Sequence, residues 1–210
     1  MAYREMIFDF DGTIADSFSS FLAVWNRIAT ECRFRVVAPE EIEFFRDKKS
    51  QDVVRALDIP LPKLPFVLQR VRKEFRRMMA EIPLVPGIKE TLIGLQAQGI
   101  QLGLLTSNAS ENVQAFLKLN EVECFDLFST SSGLWGKARR IEKMLRTYGL
   151  DRNQVLYIGD ESRDIEAAHK AGVRVAAVTW GYNNAEALKR FSPDYLIERP
   201  EELLLLPEFV

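Results

Sequence analysis

The chain has 210 residues, 47% of them hydrophobic, which is enough apolar material for one packed domain or one domain with an insertion. Its net charge is −2, so the overall balance favours neither a nucleic-acid-binding protein nor a membrane-surface protein. The two cysteines, Cys32 and Cys124, lack the spacing of a metal site. No stretch predicts a membrane span, and the N-terminal residues are too polar for a secretory signal. We therefore expect a cytoplasmic protein with reduced thiols and no nucleic-acid or membrane partner.

The first 83 residues contain one predicted strand followed by helices. The apolar run 6–8 stops abruptly at the sequence Asp-Phe-Asp-Gly, which predicts a buried strand that ends in a polar turn. Apolar residues recur at helical spacing from Ser17 to Arg33, and this spacing predicts a long helix. Two short helices are predicted to begin at Pro39 and at Ser50, with Ser50 as an N-cap. A long basic helix is predicted over 66–82.

From residue 88 onward, predicted helices and strands alternate. The helices cover 88–98, 111–119, 137–148 and 162–171, and the strands cover 100–105, 125–128, 154–158, 173–178 and 195–197. This alternation predicts an α/β fold with a doubly wound parallel sheet of the Rossmann type. We expect the core to comprise residues 1–15 and 85–210. Residues 16–84 would then form an inserted helical cap domain above the carboxyl ends of the strands.

Polar side chains follow four of the predicted strands, at the edge where a parallel sheet binds its ligands. They are Asp9, Asp11 and Thr13 after the first strand, Thr106, Ser107 and Asn108 after the second, Ser131, Ser132 and Lys137 after the third, and Asp160, Glu161 and Asp164 after the fourth. Carboxylates suit a hard cation such as Mg²⁺, and a lysine with hydroxyl groups suits a phosphate. A carboxylate can also attack phosphorus while a second one transfers protons.

These segments resemble the four motifs of the haloacid dehalogenase superfamily in its phosphatase form. Residues 9–17 are similar to the first motif, 106–108 to the second and 159–164 to the fourth, and Lys137 stands where the third-motif lysine is expected. The helical insertion and the later sequence Thr-Trp-Gly-Tyr at 179–182 resemble the phosphoglycolate phosphatase-like subgroup. The resemblance extends over nearly the whole chain and implies a haloacid dehalogenase-like core.

The resemblance also implies the catalytic and metal-binding roles. Asp9 would be the nucleophile and Asp11 the general acid and base. Mg²⁺ would be held by the Asp9 carboxylate, the Asp11 main-chain carbonyl and the Asp160 carboxylate.

The phosphate and its supporting groups follow from the same resemblance. The implied phosphate-binding residues are Thr106, Ser107, Asn108 and Lys137. Asp164 would support the site through a water molecule or by holding Lys137. Many relatives have a proline after the third-motif lysine and this chain does not, so Lys143 in the same helix stays an alternative.

Substrate choice is expected to depend on the cap, because the core motifs contact only phosphate and metal. Arg46, Lys48 and Lys49 lie just before the helix that begins at Ser50, and they are candidate contacts for a second anionic group on the substrate. The alternative is that all three are ordinary surface charges.

Together these features predict a Mg²⁺-dependent phosphomonoester hydrolase that acts through an aspartyl-phosphate on a small phosphorylated metabolite. Phosphoglycolate is the first candidate substrate, and both a monomer and a homodimer stay open. A sugar phosphomutase with the same motifs and a non-catalytic regulatory protein on this fold are the alternatives. A dehalogenase is disfavoured because Asp11 is present and that reaction has no leaving oxygen to protonate.

Overall fold

The structure, a computed structural model, describes residues 3–130 and 136–208. Ser131 and Ser132, which the sequence analysis grouped with the polar strand ends, lie outside these ranges. None of the helices in the described ranges is both long enough and apolar enough to span a membrane.

Six parallel strands form one sheet in the order β3-β2-β1-β4-β5-β6. The strands are β1 (Glu5–Phe8), β2 (Gln101–Thr106), β3 (Phe125–Thr130), β4 (Val155–Gly159), β5 (Arg174–Val178) and β6 (Tyr195–Ile197). Because β1 is central and the chain builds outward first on one side and then on the other, the sheet is doubly wound. The predicted α/β fold is therefore confirmed.

Helices cover both faces of the sheet and build the insertion after β1. The α-helices are α1 (Phe18–Cys32), α2 (Ile42–Arg46), α3 (Ser50–Ala56), α4 (Leu64–Arg77), α5 (Ile88–Ala97), α6 (Ser110–Leu119), α7 (Lys137–Tyr148), α8 (Ser162–Ala171) and α9 (Ala185–Lys189). Short 3₁₀ helices occupy Pro39–Glu41, Leu61–Lys63, Met79–Glu81 and Pro200–Glu208.

Two local predictions were wrong. Ser50 is the first residue of α3 rather than its N-cap, and its hydroxyl donates instead to Glu161 Oε2 at 2.9 Å. The basic helix begins at Leu64 and ends at Arg77, earlier at both ends than predicted. Pro65 near its start explains the early beginning, because proline is well tolerated in the first turn of a helix.

Apolar side chains form a cluster on each face of the sheet. Successive β1 residues alternate between them: Met6 and Phe8 pack in one cluster and Ile7 in the other. A third cluster lies wholly within residues 24–71 and packs α1 against α4 and the short elements between them. The insertion therefore has an apolar core of its own.

The insertion leaves and rejoins the core at one place. Ala15 and Leu84 form an antiparallel bridge, and the main-chain N–H of Asp16 donates to the carbonyl of Pro83 at 2.9 Å. Farther along, Met79 and nearby apolar residues pack in the same cluster as β1 and β2, so the end of the insertion contacts the sheet core. The division into residues 1–15, 16–84 and 85–210 stays a prediction.

Ile28→Ala tests the independent core of the insertion. Ile28 is 0% exposed, and its truncation should lower the free energy of unfolding by about 2–5 kcal/mol because a cavity remains. Ile93→Ala is the matched control: Ile93 is 54% exposed, and its truncation should change stability by less than about 0.5 kcal/mol. Urea denaturation measures both values, and equal losses would contradict the packing described.

Candidate active site

The predicted nucleophile Asp9 stands at the centre of one edge of the sheet. It directly follows β1, and its main-chain N–H donates to the carbonyl of Ile158 at 2.8 Å. In the strand register, Phe8 pairs with Leu104 on one side and with Ile158 on the other. Residues that follow β2 and β4 therefore flank Asp9, at the point where the strand order reverses.

The chain after β1 makes a tight turn that depends on Gly12. The carbonyl of Phe10 accepts hydrogen bonds from the main-chain N–H groups of Ile14 (2.9 Å) and Ala15 (3.0 Å). Gly12 has a φ of 80°, a left-handed conformation that costs glycine little because it has no Cβ. A Cβ at this position would also overlap the carboxylate of Asp160. Glycine is therefore required both for the turn and for its close approach to Asp160.

Lys137, the first residue of α7, joins two of the carboxylates. Its Nζ lies 2.7 Å from Asp9 Oδ2 and also bonds Oδ1 of Asp164. The Asp164 side chain is fully buried, and those of Asp9 and Lys137 are only 8% and 13% exposed. Burial acts to lower the pKa of Lys137, but the charges of Asp164 and Asp9 raise it well above its usual value. Lys143, the alternative lysine, is exposed.

The Asp160 carboxylate is oriented by two hydrogen bonds. The hydroxyl of Thr13 donates to Oδ1 at 2.8 Å, and the main-chain N–H of Tyr182 donates to Oδ2 at 2.7 Å. A Cβ on Gly181 would overlap this carboxylate, so the chain passes Asp160 closely here. Burial and then the charges of Glu161 and other neighbouring carboxylates raise the pKa of Asp160 well above its usual value.

Asp11 lies near Asp9 and is partly exposed, although one oxygen of its carboxyl group is buried. Its Oδ1 has no hydrogen-bond partner among the described residues. Burial and then the charge of Asp9 raise the pKa of Asp11 to about 7. A carboxyl group with a pKa near neutrality can both donate and accept a proton, so Asp11 is suited to general acid–base chemistry.

The acidic side chains form a group that could hold a divalent cation. Oxygen atoms of Asp9, Asp160 and Asp164 lie within 4.8 Å of one another, and all three residues are buried. An octahedral cation with bonds of about 2.1 Å places its ligand atoms roughly 3–4 Å apart, so this donor set fits a hard ion. Burial raises the pKa of Asp164 to about 6 despite the charge of Lys137, and a bound cation would favour its ionised form.

This group differs in one member from the predicted ligands. Asp9 and Asp160 are the two carboxylates that the motif resemblance implies, and Asp164 lies with them. Asp164 also holds Lys137, which is one of the two supporting roles expected of it. The main-chain carbonyl of Asp11, the third expected ligand, stays a prediction.

The predicted phosphate-binding residues follow β2, next to Asp9 in the sheet. Thr106 is buried, and its hydroxyl oxygen accepts from the main-chain N–H of Asn108 at 3.0 Å. Asn108 Oδ1 accepts from the following main-chain N–H at 2.9 Å, while Ser107 is partly exposed. The guanidinium of Arg140 donates to the carbonyls of Thr106 and Ser129, and so ties the ends of β2 and β3 together.

Arg46, a residue of the insertion, reaches the core. Its Nη2 donates to the carbonyls of Thr179 and Gly181 at 3.1 and 2.9 Å, and its side chain is only 20% exposed. Arg46 therefore contacts the loop that orients Asp160.

Lys48 and Lys49 lie farther from the carboxylates. Lys48 Nζ sits 4.0 Å from the ring centroid of Phe44, and Lys49 Nζ lies 2.9 Å from a carboxylate oxygen of Glu166. Both lysines line a cleft of about 270 Å³ between the insertion and helices α8 and α9. Within the described residues, that lining includes Ser162 but none of the acidic group.

Several groups at the site were missed by the sequence analysis. The Tyr182 N–H and the close approach of Gly181 involve main-chain atoms, which have no distinctive side-chain signal. The carbonyl contacts of Arg140 and the bond from Ser50 to Glu161 join distant segments, so they follow only from the folded structure.

Comparison with known proteins identifies the family. The haloacid dehalogenase-like hydrolase family matches residues 6–178, and the chain belongs to this family. A phosphoglycolate phosphatase from Synechococcus elongatus is 32% identical over 202 residues, which cover 96% of this chain and 95% of that protein. A phosphoglycolate phosphatase from Mannheimia succiniciproducens is 30% identical and matches 94% of this chain and 95% of its own length.

A solved structure agrees with the fold. A haloacid dehalogenase-like hydrolase from Streptococcus pneumoniae superposes with a TM-score of 0.83 at 25% identity, covering 97% of each chain. The predicted superfamily and its phosphoglycolate phosphatase-like subgroup are confirmed.

Replacing Lys137 tests the charge balance at the site. Lys137→Met leaves Asp9 and Asp164 buried without their cation, which should cost about 3–5 kcal/mol of stability in metal-free protein at pH 7. Lys143→Met, an exposed change in the same helix, should cost less than about 0.5 kcal/mol. Equal urea midpoints for the two variants would show that Lys137 does not balance this charge.

Proposed function

We propose that this protein is a Mg²⁺-dependent phosphatase that transfers the phosphoryl group of a small metabolite to Asp9 and then to water. The observation that carries the proposal is the position of Asp9, which directly follows the central strand. Its carboxylate bonds Lys137 and lies within 4.8 Å of carboxylate oxygens of Asp160 and Asp164. The similarity to two phosphoglycolate phosphatases over nearly the whole chain supports the same reaction class.

The first step forms a bond from an Asp9 carboxylate oxygen to phosphorus and breaks the bond to the leaving oxygen. Asp11 gives its proton to that oxygen as the bond breaks, and its raised pKa keeps a proton available near pH 7. Lys137 contributes positive charge where the phosphate enters, and Thr106, Ser107 and Asn108 contribute polar groups at the end of β2.

In the second step, water attacks phosphorus and the bond to Asp9 breaks. Asp11, now ionised, accepts the proton of the attacking water, so the carboxylate and the acid both return to their starting states. Mg²⁺, when bound, neutralises charge between phosphate and carboxylate. Asp9, Asp160 and the main-chain carbonyl of Asp11 would hold it, and Thr13 and Tyr182 keep Asp160 oriented for this role.

Phosphoglycolate is the proposed substrate. Its carboxylate would be the second anionic group, and the cap would supply the contacts that distinguish it. Lys48 and Lys49 remain candidates from the sequence, although the cleft they line is separate from the acidic group. We place the enzyme in the cytoplasm, as a monomer or homodimer without a nucleic-acid partner. The absence of a nucleic-acid partner is supported by the basic helix α4, because its Arg70 and Arg77 pair with glutamates.

A screen of phosphorylated metabolites tests the proposed function. Purified protein should release inorganic phosphate, with phosphoglycolate among the best substrates, and excess chelator should abolish release until Mg²⁺ is restored. Full activity in chelator would remove the metal from the mechanism. Conversion of a sugar phosphate into its isomer without phosphate release would identify the phosphomutase alternative.

Asp9→Asn tests the nucleophile. An amide cannot attack phosphorus, so kcat should fall by roughly 10⁴-fold or more while the circular dichroism spectrum stays unchanged. The matched control is Asp126→Asn, an exposed acidic residue of β3 outside the four motifs, which should retain activity within about threefold. Near wild-type turnover by Asp9→Asn would show that another group accepts the phosphoryl group.

A further inference from the structure

The position of Asp160 depends on the loop that follows β5. In this segment, residues 179–184, the N–H of Tyr182 donates to Asp160 Oδ2 at 2.7 Å, and the N–H of Asn183 donates to the main-chain carbonyl of Asp160 at 3.2 Å. Gly181 passes so close to the carboxylate that no Cβ could fit. A shift of the 179–184 loop would therefore move or release this carboxylate.

The same loop is bound from the cap side by Arg46. One terminal nitrogen of its guanidinium donates to the carbonyls of both Thr179 and Gly181, on either side of Trp180. In the opposite direction, the Asn183 side chain donates to the main-chain carbonyls of Arg46 and Lys48 at 2.8 and 2.9 Å. Hydrogen bonds therefore join the cap segment 46–50 to the 179–184 loop, and each of the two segments supplies donors to the other.

The surroundings of Arg46 hold the guanidinium in this arrangement. Its other terminal nitrogen lies 3.0 Å from a carboxylate oxygen of Glu43, and the group lies over the ring of Phe18 at 5.6 Å. Phe18 in turn packs edge-on against Tyr182, with ring centroids 5.4 Å apart. The two terminal nitrogens of Arg46 therefore donate hydrogen bonds to Glu43 and to the loop carbonyls. The aromatic packing also fixes the side chain.

We propose that Arg46 is a positioning residue for the metal site: by holding the carbonyls of Thr179 and Gly181, it fixes the loop that orients Asp160. This inference rests on the proposed role of Asp160 as a Mg²⁺ ligand. Docking of the cap segment and binding of Mg²⁺ then strengthen each other, because coupling between two binding events is reciprocal.

Magnesium titration calorimetry of metal-free protein without substrate tests the proposal. Arg46→Met should weaken Mg²⁺ binding by about tenfold, within the usual range of coupling between sites. Arg55→Met is the matched control, because Arg55 is an exposed cap arginine that pairs with Asp52. The Mg²⁺ affinity of the Arg55→Met protein should stay within about twofold of wild type. Arg46→Lys keeps the charge but cannot offer the same planar fork, so its affinity should fall between those of Arg46→Met and wild type.

Hydrogen exchange at the Tyr182 amide gives a second readout in metal-free protein. This amide donates directly to Asp160, so it should exchange faster in Arg46→Met than in Arg55→Met. Mg²⁺ should in turn slow exchange in the cap segment 46–50 of the wild type.

The possible outcomes separate this inference from the proposed function. If wild type binds no Mg²⁺, the metal role of Asp160 fails, whereas Tyr182 exchange still tests the link from Arg46 to the loop. If Arg46→Met binds Mg²⁺ like wild type and only its KM rises, Arg46 is a substrate contact and the positioning role is overturned. Equal Tyr182 exchange in both arginine variants would also overturn it. If Arg46→Met does not fold, Arg46→Lys decides by the same two measurements.

Discussion

The ammonium group of Lys137 between Asp9 and Asp164 makes the rest of the site possible. Parallel strands bring their carboxyl ends to one edge, and in this chain that edge carries several buried acidic groups. The loss of hydration and then their mutual repulsion raise the pKa of Asp160 well above its usual value, and that of Asp164 to about 6. The charge of Lys137 offsets part of the free-energy cost of burying these carboxylates together, and a divalent cation would offset more of it. The need for positive charge thus connects the stability of the fold to its proposed chemistry.

Close packing around Asp160 fixes the position of its carboxylate. Glycine at positions 12 and 181 lets two chain segments approach Asp160, and Thr13 and the Tyr182 N–H fix its two oxygens. The proposed general acid differs, because a buried oxygen of Asp11 has no partner in the described part of the chain. A group without a fixed partner is free to exchange a proton with the substrate. The same edge of the sheet therefore carries both a rigidly held candidate metal ligand, Asp160, and a proposed general acid, Asp11, that can transfer its proton.

Residue spacing predicted most of the fold because the helices and strands of the core have strong periodicity and clear ends. The predicted helix 137–148 and the helix 162–171 match α7 and α8 at both ends. The acidic residues and Lys137 were identifiable because their chemistry lies in their side chains and the strand ends bring them together. The start of α4 and the role of Ser50 could not be identified from the sequence, because proline and serine each suit more than one position near a helix start. The contacts of Arg46 could not be predicted either, since they depend on how the insertion packs against the core.

The central claim is that Asp9 carries the phosphoryl group during turnover. An aspartyl-phosphate is reduced by borohydride to homoserine, whereas a free carboxylate is not. Protein quenched in acid during steady-state turnover, reduced and analysed by peptide mass spectrometry should contain homoserine in place of Asp9. Protein treated without substrate should keep Asp9 unmodified. Homoserine at another aspartate, or no reduction while phosphate release proceeds, would contradict the account.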